Sequence, residues 1–306
     1  MNYSRRVLRI CRVTIGILTL VQLPRACFPL VVVLTAAFAV TPPSPRAVSA
    51  GVEQRALIPL PSLGISMRTA IVRPTGRGPF PLIVINHAST ESAQRRANMA
   101  EPRYSALTHW FSDRGYLVAL PQRPGHGLTG GPYPEDQGGC DDADYVRSGN
   151  GAAVSIQAAL TDLLTRPDVR KTGAIVAGHS AGGWGGLALA SRNPRGVAAI
   201  INFAGGRGGR SFDHANNNCA PERLIDAARV FGSTARVPTL WIYAENDSYF
   251  APWLVRRMAE AWRFGGGQVE LALLPAFGLE GHRLAEADDG AGVWGPVVAG
   301  FLAKVK

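Results

Sequence analysis

The chain has 306 residues, 46% of them apolar, enough to bury a sizeable core and too many for a disordered or fibrous protein. Its formal charge of +10 is concentrated at the start: six arginines (5, 6, 9, 12, 25 and 46) precede residue 51, and without them about +4 remains. So small an excess argues against a nucleic-acid partner, and the single GGRGGR at 205–210 reads as flexible loop rather than as an RNA-binding repeat.

The first fifty residues are unlike the rest. Arginines lead into two apolar stretches, Val13 to Leu23 and Phe28 to Val40, followed by a Pro-rich segment and the small residues Val48-Ser49-Ala50. That layout predicts a secretory signal over 1–50, with Ser4-Arg5-Arg6 compatible with a twin-arginine route. The break at Pro24-Arg25 leaves each run short for a membrane span, so a retained anchor is the lesser alternative. Export implies a periplasmic or extracellular protein and, unless this segment stays attached, no stable membrane partner.

From Val52 the pattern becomes short apolar runs alternating with longer helical ones. VEQRALIPL and ISMRTAIVRP read as an opening strand pair turning at Pro61 to Gly64, and PLIVINH as a buried strand ending at His87. A helix near Tyr104 to Arg114, the strand YLVALP, a long loop from Gln122 to Asn150 and a helix at Ala152 to Thr165 follow. Next come the strand AIVAG, a helix starting after Ser180, the strand VAAIINFAG, a helix opened by Pro221, and the strand ending in END. A helix at Pro252 to Phe264, the strand VELALLP and a closing helix at Trp294 to Lys304 complete the series. Such alternation predicts an α/β fold: a mostly parallel central sheet with helices on both faces, in one domain over 51–306.

One turn in this series carries chemistry. Gly178-His179-Ser180-Ala181-Gly182 sits between a strand and a helix, which fits the Gly-x-Ser-x-Gly elbow that exposes a serine hydroxyl at the top of a sheet. A serine hydroxyl is a weak nucleophile at neutral pH, so a base must take its proton and an acid must orient the base. In chain order the partners come later, acid first: Asp247 just past the strand PTLWIYAEND, with Glu245 as the competing acid, then His282 in the loop PAFGLEGHRL. The oxyanion hole is expected from the amide of Ala181 and one from the loop after PLIVINH, Ser89 first and Ala88 as the alternative. The other histidines are read as local: His87 holding its loop, His179 packing beside the elbow, His126 and His214 supporting or solvated, His109 on a helix face.

These residues resemble the α/β-hydrolase superfamily, and within it exported bacterial proteins of the dienelactone-hydrolase-like kind. The likeness spans most of residues 65–304 and is carried by INHAST, GYLVALPQRPGHG, GHSAGG, WIYAENDSYF and LEGHRL. It implies Ser180 as nucleophile, Asp247 as acid and His282 as base, with Ser180 standing where dienelactone hydrolases use cysteine and Ala88 where a glycine is usual. It also implies that the segment after Phe203 is the place where lids are inserted.

Removal of a signal leaves two cysteines, Cys140 and Cys219, one in each long loop, and in an oxidising compartment they are candidates for a disulfide tying the loops at the pocket rim. No Cys-x-x-Cys or His-Glu-x-x-His occurs, so neither a metal nor another cofactor is expected. Trp184, Tyr249 and Phe250 are candidates for an apolar pocket wall, and Arg207 and Arg210 are read as solvated loop arginines. The expected partner is a small-molecule acyl substrate, most simply a carboxylic ester.

Overall fold

The computed structural model describes residues 52–305, so the segment read as a signal lies outside them. Eight strands form one sheet: β1 (Val52–Leu60), β2 (Ile65–Arg73), β3 (Leu82–Asn86), β4 (Leu117–Pro121), β5 (Ala174–His179), β6 (Val197–Phe203), β7 (Thr239–Ala244) and β8 (Val269–Leu274). Their spatial order is β1-β2-β4-β3-β5-β6-β7-β8. β1 and β2 form an antiparallel hairpin, β2 joins β4 antiparallel, and every later pairing is parallel. The inner parallel strands β3 to β7 are largely buried and mostly apolar because both faces are covered.

Among the described residues there are seven α-helices, α1 (Ala93–Ala97), α2 (Ser105–Ser112), α3 (Tyr145–Thr165), α4 (Ala181–Ala190), α5 (Pro221–Thr234), α6 (Pro252–Gly265) and α7 (Ala291–Lys304), and all but the short α1 contribute to the cores on the two faces. The period-2 alternation of a strand sorts its side chains between two cores. Val176 of β5 packs with α3, α4, α5 and α6 through Ile156, Trp184, Phe231 and Trp262. Ile175 and Ala177, one step to either side, pack on the opposite face with Phe111 of α2 and Trp294 of α7. Among the described residues no helix is long and apolar enough to cross a membrane.

The sequence reading placed the start of α3 seven residues late. Gly149 and Gly151 look like helix breakers, yet Asp144 caps the helix by accepting from the Arg147 amide, 2.8 Å away, and both glycines lie inside it. They are there for close approach: a Cβ on Gly149 would come within 2.8 Å of the Phe231 ring, and one on Gly151 within 1.9 Å of the Pro134 carbonyl. The long loop therefore ends at residue 144. The five-residue α1 was not foreseen.

Trp184 is fully buried and donates its indole N–H to the Tyr145 carbonyl at 2.8 Å, so it belongs to the core and not to a pocket. Cys140 and Cys219 are joined by a disulfide, as the pairing of the two loops predicted, which accords with an oxidising compartment.

Candidate active site

Ser180 stands between β5 and α4 with φ 54° and ψ −119°, a conformation an L-residue adopts only under strain. The flanking glycines let the chain make this bend. A Cβ on Gly178 would meet the Gly182 carbonyl at 2.3 Å, and one on Gly182 would meet the Asn86 and His87 carbonyls at 2.3 and 2.5 Å. With glycine at both places the turn folds down against the end of β3, leaving Ser180 at the head of a ten-residue helix whose first amide, that of Ala181, has no intrahelical acceptor.

Asp247 and His282 lie on loops at the same end of the sheet. The His282 Nδ1 is 3.1 Å from Asp247 Oδ2, and because a carboxylate only accepts, the ring proton sits on Nδ1 and Nε2 is the basic nitrogen. Asp247 is fixed in turn: its Oδ1 accepts from the Tyr249 and Phe250 amides at 2.8 and 3.0 Å. Glu245, the rival acid, is exposed and makes no such contact. Glu280, which the sequence reading passed over, braces both loops, since its Oε1 accepts from the Ser248 and His282 amides at 3.1 and 3.0 Å.

His179 ties the His282 loop to the elbow. Its Nε2 donates to the His282 carbonyl at 2.8 Å, and its ring lies 4.9 Å from that of His282 between centroids. Its Nδ1 accepts from the Tyr104 hydroxyl at 3.0 Å, and that oxygen accepts from the Ala88 amide at 2.9 Å. Burial pushes His179 down to about 4, so its 3.6 Å approach to Glu286 is not an ion pair at neutral pH. The residue just before Ser180 is thus packed against His282: Ser180 and His282 share one end of the sheet, brought together by His179 and not by a hydrogen bond of their own.

The Ala88–Tyr104 bond also separates the two candidates for the second oxyanion amide. Ala88 spends its N–H on Tyr104. Ser89 lines the same cleft as Ser180 and Ala181. This cleft, about 410 Å³, is walled by Thr90, Glu91, Arg95, Arg210 and the segment Gly206-Arg207-Gly208-Gly209, with Tyr249 and Phe250 as its apolar side.

Arg207 is not solvated. It is 4% exposed and reaches Glu91, Tyr133, Gln137 and the Glu135 carbonyl, fastening the loop after β6 to the loop after β4. Behind it Arg123 and Glu135 form a buried two-pronged ion pair at 2.5 and 3.0 Å. Burial raises the Glu135 carboxyl, but Arg123, with His126 and Arg207, outweighs it and holds the group below its usual range. His87 accepts the Arg123 amide on Nε2 at 2.9 Å, which is the loop-holding part expected of it. The partners of Arg123 and Arg207 are 12 to 116 residues away in irregular chain, where no periodicity announces them. Among the described residues no cluster of His, Cys, Asp or Glu has the makings of a metal site.

No family model matches the chain, and no curated protein matches it in sequence. Solved structures do match. A protein from Klebsiella pneumoniae described as a dienelactone hydrolase is 17% identical, covering 82% of this chain and 98% of its own, with a TM-score of 0.55. An esterase of Pyrococcus furiosus is 14% identical over 83% of this chain and 93% of its own, TM-score 0.57. An acylaminoacyl peptidase of Pyrococcus horikoshii is 13% identical over 85% of this chain but only 43% of its own, TM-score 0.61. At these identities the likeness is one of architecture: this is an α/β-hydrolase fold.

Proposed function

We propose that the protein is an exported serine hydrolase acting on carboxylic esters. Ser180 attacks the substrate carbonyl while His282 Nε2 takes its proton, and Asp247 holds the imidazole and offsets its charge. The amides of Ala181 and Ser89 stabilise the oxyanion of the tetrahedral intermediate. As it collapses, the bond to the leaving alkoxide breaks and His282 returns the proton to it. Water then attacks the acyl-enzyme with His282 again as base, releasing the acid and restoring Ser180.

The observation that carries this reading is the Asp247–His282 pair held, through His179, beside a strained serine. The strained turn would have no reason to persist without a function to fix it. The Cys140–Cys219 bridge supports export. Amide cleavage draws on the same groups, and the peptidase among the structural neighbours keeps it as the second reading; acyl transfer to an alcohol differs only in what attacks the acyl-enzyme. A binding module on a hydrolase scaffold would need no such pairing of acid and base.

The test is a fluorophosphonate probe on the purified protein beside Ser180→Ala, followed by a panel of short and long esters, lactones and amides. Labelling and ester turnover that both vanish in Ser180→Ala support the proposal. A native protein that takes no label and turns over no acyl substrate refutes it.

A further inference from the structure

We propose that His126 is a positioning residue for the oxyanion hole: by accepting the hydroxyl proton of Ser89 it fixes the residue that lines the cleft beside Ser180 and whose amide is the proposed second oxyanion donor. The inference rests on the serine-hydrolase reading above.

The direction of each hydrogen bond follows from its neighbours. His126 is completely buried, and its Nδ1 lies 3.1 and 2.9 Å from the carbonyls of Arg123 and Pro124, which can only accept. Nδ1 therefore carries the proton, and Nε2 of the neutral ring is an acceptor. Ser89 Oγ, 2.8 Å from Nε2, must donate to it. The Ser89 oxygen is then free to accept from the Tyr133 hydroxyl at 3.2 Å, and the Tyr133 oxygen accepts from Arg207 Nη2 at 2.8 Å. Arg207, Tyr133, Ser89 and His126 form one chain in which every proton points the same way, an order in which each bond polarises the next.

Two consequences bear on the oxyanion. The Ser89 hydroxyl has no second proton to offer the cleft, so what residue 89 supplies there is its backbone N–H. The remainder of the loop is held from the other side, where Arg96 Nη1 donates to the Thr90 and Glu91 carbonyls at 2.9 and 2.8 Å. With the Ala88 amide bound to Tyr104 upstream, the hydroxyl of Ser89 is the tether at the residue assigned the second oxyanion amide.

The surroundings keep the imidazole in the accepting form. Burial, together with Arg123, opposes a charge on His126, and the Glu135 carboxylate pulls the other way without winning, so the group is pushed down to about 4. His87 packs against it edge-on at 4.7 Å and Tyr133 at 5.5 Å, and neither brings a negative charge.

The experiment compares wild type with Ser89→Ala, His126→Leu, His126→Gln and the Ser89→Ala/His126→Leu pair, measuring kcat and KM on a reactive ester and the Ki of a trifluoromethyl ketone. That inhibitor adds to Ser180 as an anionic hemiketal and so reports on the oxyanion hole. Ser89→Ala and His126→Leu should each lower kcat by about tenfold to a hundredfold with KM nearly unchanged, since a donor misplaced by a fraction of an ångström forfeits part of its worth. Ki should weaken by the same factor, the double variant should be no worse than the poorer single, and His126→Gln, which restores an acceptor, should recover most of the loss. Ser89→Ala keeps the main chain and removes a single hydroxyl of a half-buried residue, so it reads the link even if His126→Leu does not fold. Wild-type kcat and Ki in a Ser89→Ala protein of unchanged melting temperature overturn the inference alone. Hydrolysis that survives Ser180→Ala overturns the serine-hydrolase reading, and this inference with it.

Discussion

The ring of Tyr249 lies flat against the imidazole of His282, centroids 4.1 Å apart and planes inclined by 21°. Arg210 stands within 5.6 Å of the Tyr249 ring, so Tyr249 is packed between a cation and the proposed base. A stack of this kind fixes the plane of the imidazole, which its single bond to Asp247 does not. Tyr249→Ala should lower kcat about tenfold because the ring can then swing about the Nδ1 bond, while Tyr249→Phe, which keeps the face, should stay within about twofold. Steady-state kinetics on one ester decide it: equal kcat in the Ala and Phe variants would mean that the stack does not orient the base.

Asp247 accepts three hydrogen bonds, two from main-chain amides and one from His282. Asparagine in its place can keep the two amide contacts on its oxygen, but its NH₂ then faces His282 Nδ1 and drives the ring proton to Nε2. The imidazole is left in the tautomer that cannot accept from serine. Asp247→Asn should therefore lower kcat by about four orders of magnitude while folding normally. A loss below about tenfold, in a variant of wild-type melting temperature, would move the acid to another residue.

Where period and chain order carry information, the sequence was legible. Alternating strands and helices predicted the sheet, and the acid-then-histidine order pointed to Asp247 and His282, which the fold brings together. The pairing of Cys140 with Cys219 could be read because setting aside the segment read as a signal left no other cysteines. What was not legible lies in contacts between irregular segments. Arg207 looked like an ordinary loop arginine because nothing local shows that Tyr133, Gln137 and Glu91 converge on it. Gly149 and Gly151 misled for a related reason: a glycine chosen for close packing and one chosen to end a helix are the same letter.

Three buried histidines give stability a definite pH slope. Burial, the leading cause at each, holds His87 well below its usual value and pushes His126 and His179 down to about 4. In the unfolded chain a histidine takes up its proton near pH 6.5. Between the two values the unfolded state binds more protons than the folded one, so stability is complete above about pH 6.5 and drains away as pH falls toward 4. His126 and His179 each contribute on the order of 3 kcal/mol to that loss. The melting temperature should thus begin to fall well above the carboxylate range, and His126→Gln should make the slope between pH 6.5 and 4.5 shallower. A melting temperature that is flat across that interval would contradict neutral, buried imidazoles.

The disulfide and Arg207 hold the same two loops by different means, so their removal should have different effects. The Cys140–Cys219 bridge spans 79 positions of chain, and closing a loop of that size removes unfolded-state entropy worth up to about 4 kcal/mol. Around it, however, the folded loops are already fastened: the Cys219 amide donates to the Gly208 carbonyl at 2.8 Å, Asn218 Nδ2 to the Arg207 carbonyl at 3.1 Å, and the Arg207 guanidinium crosses to Gln137 and Tyr133. The bridge acts on the unfolded chain, and the hydrogen bonds set the shape of the cleft. Replacing both cysteines by serine should lower the melting temperature by about 10 °C while kcat at 25 °C changes less than about threefold. Arg207→Met should do the reverse in part, costing activity out of proportion to stability, because Glu91 on the cleft wall and Tyr133, which bonds Ser89 of that wall, lose their anchor. Thermal melts and kinetics on the two variants test this together. If the serine pair loses activity while its melting temperature stays put, the covalent link, and not Arg207, is what shapes the site.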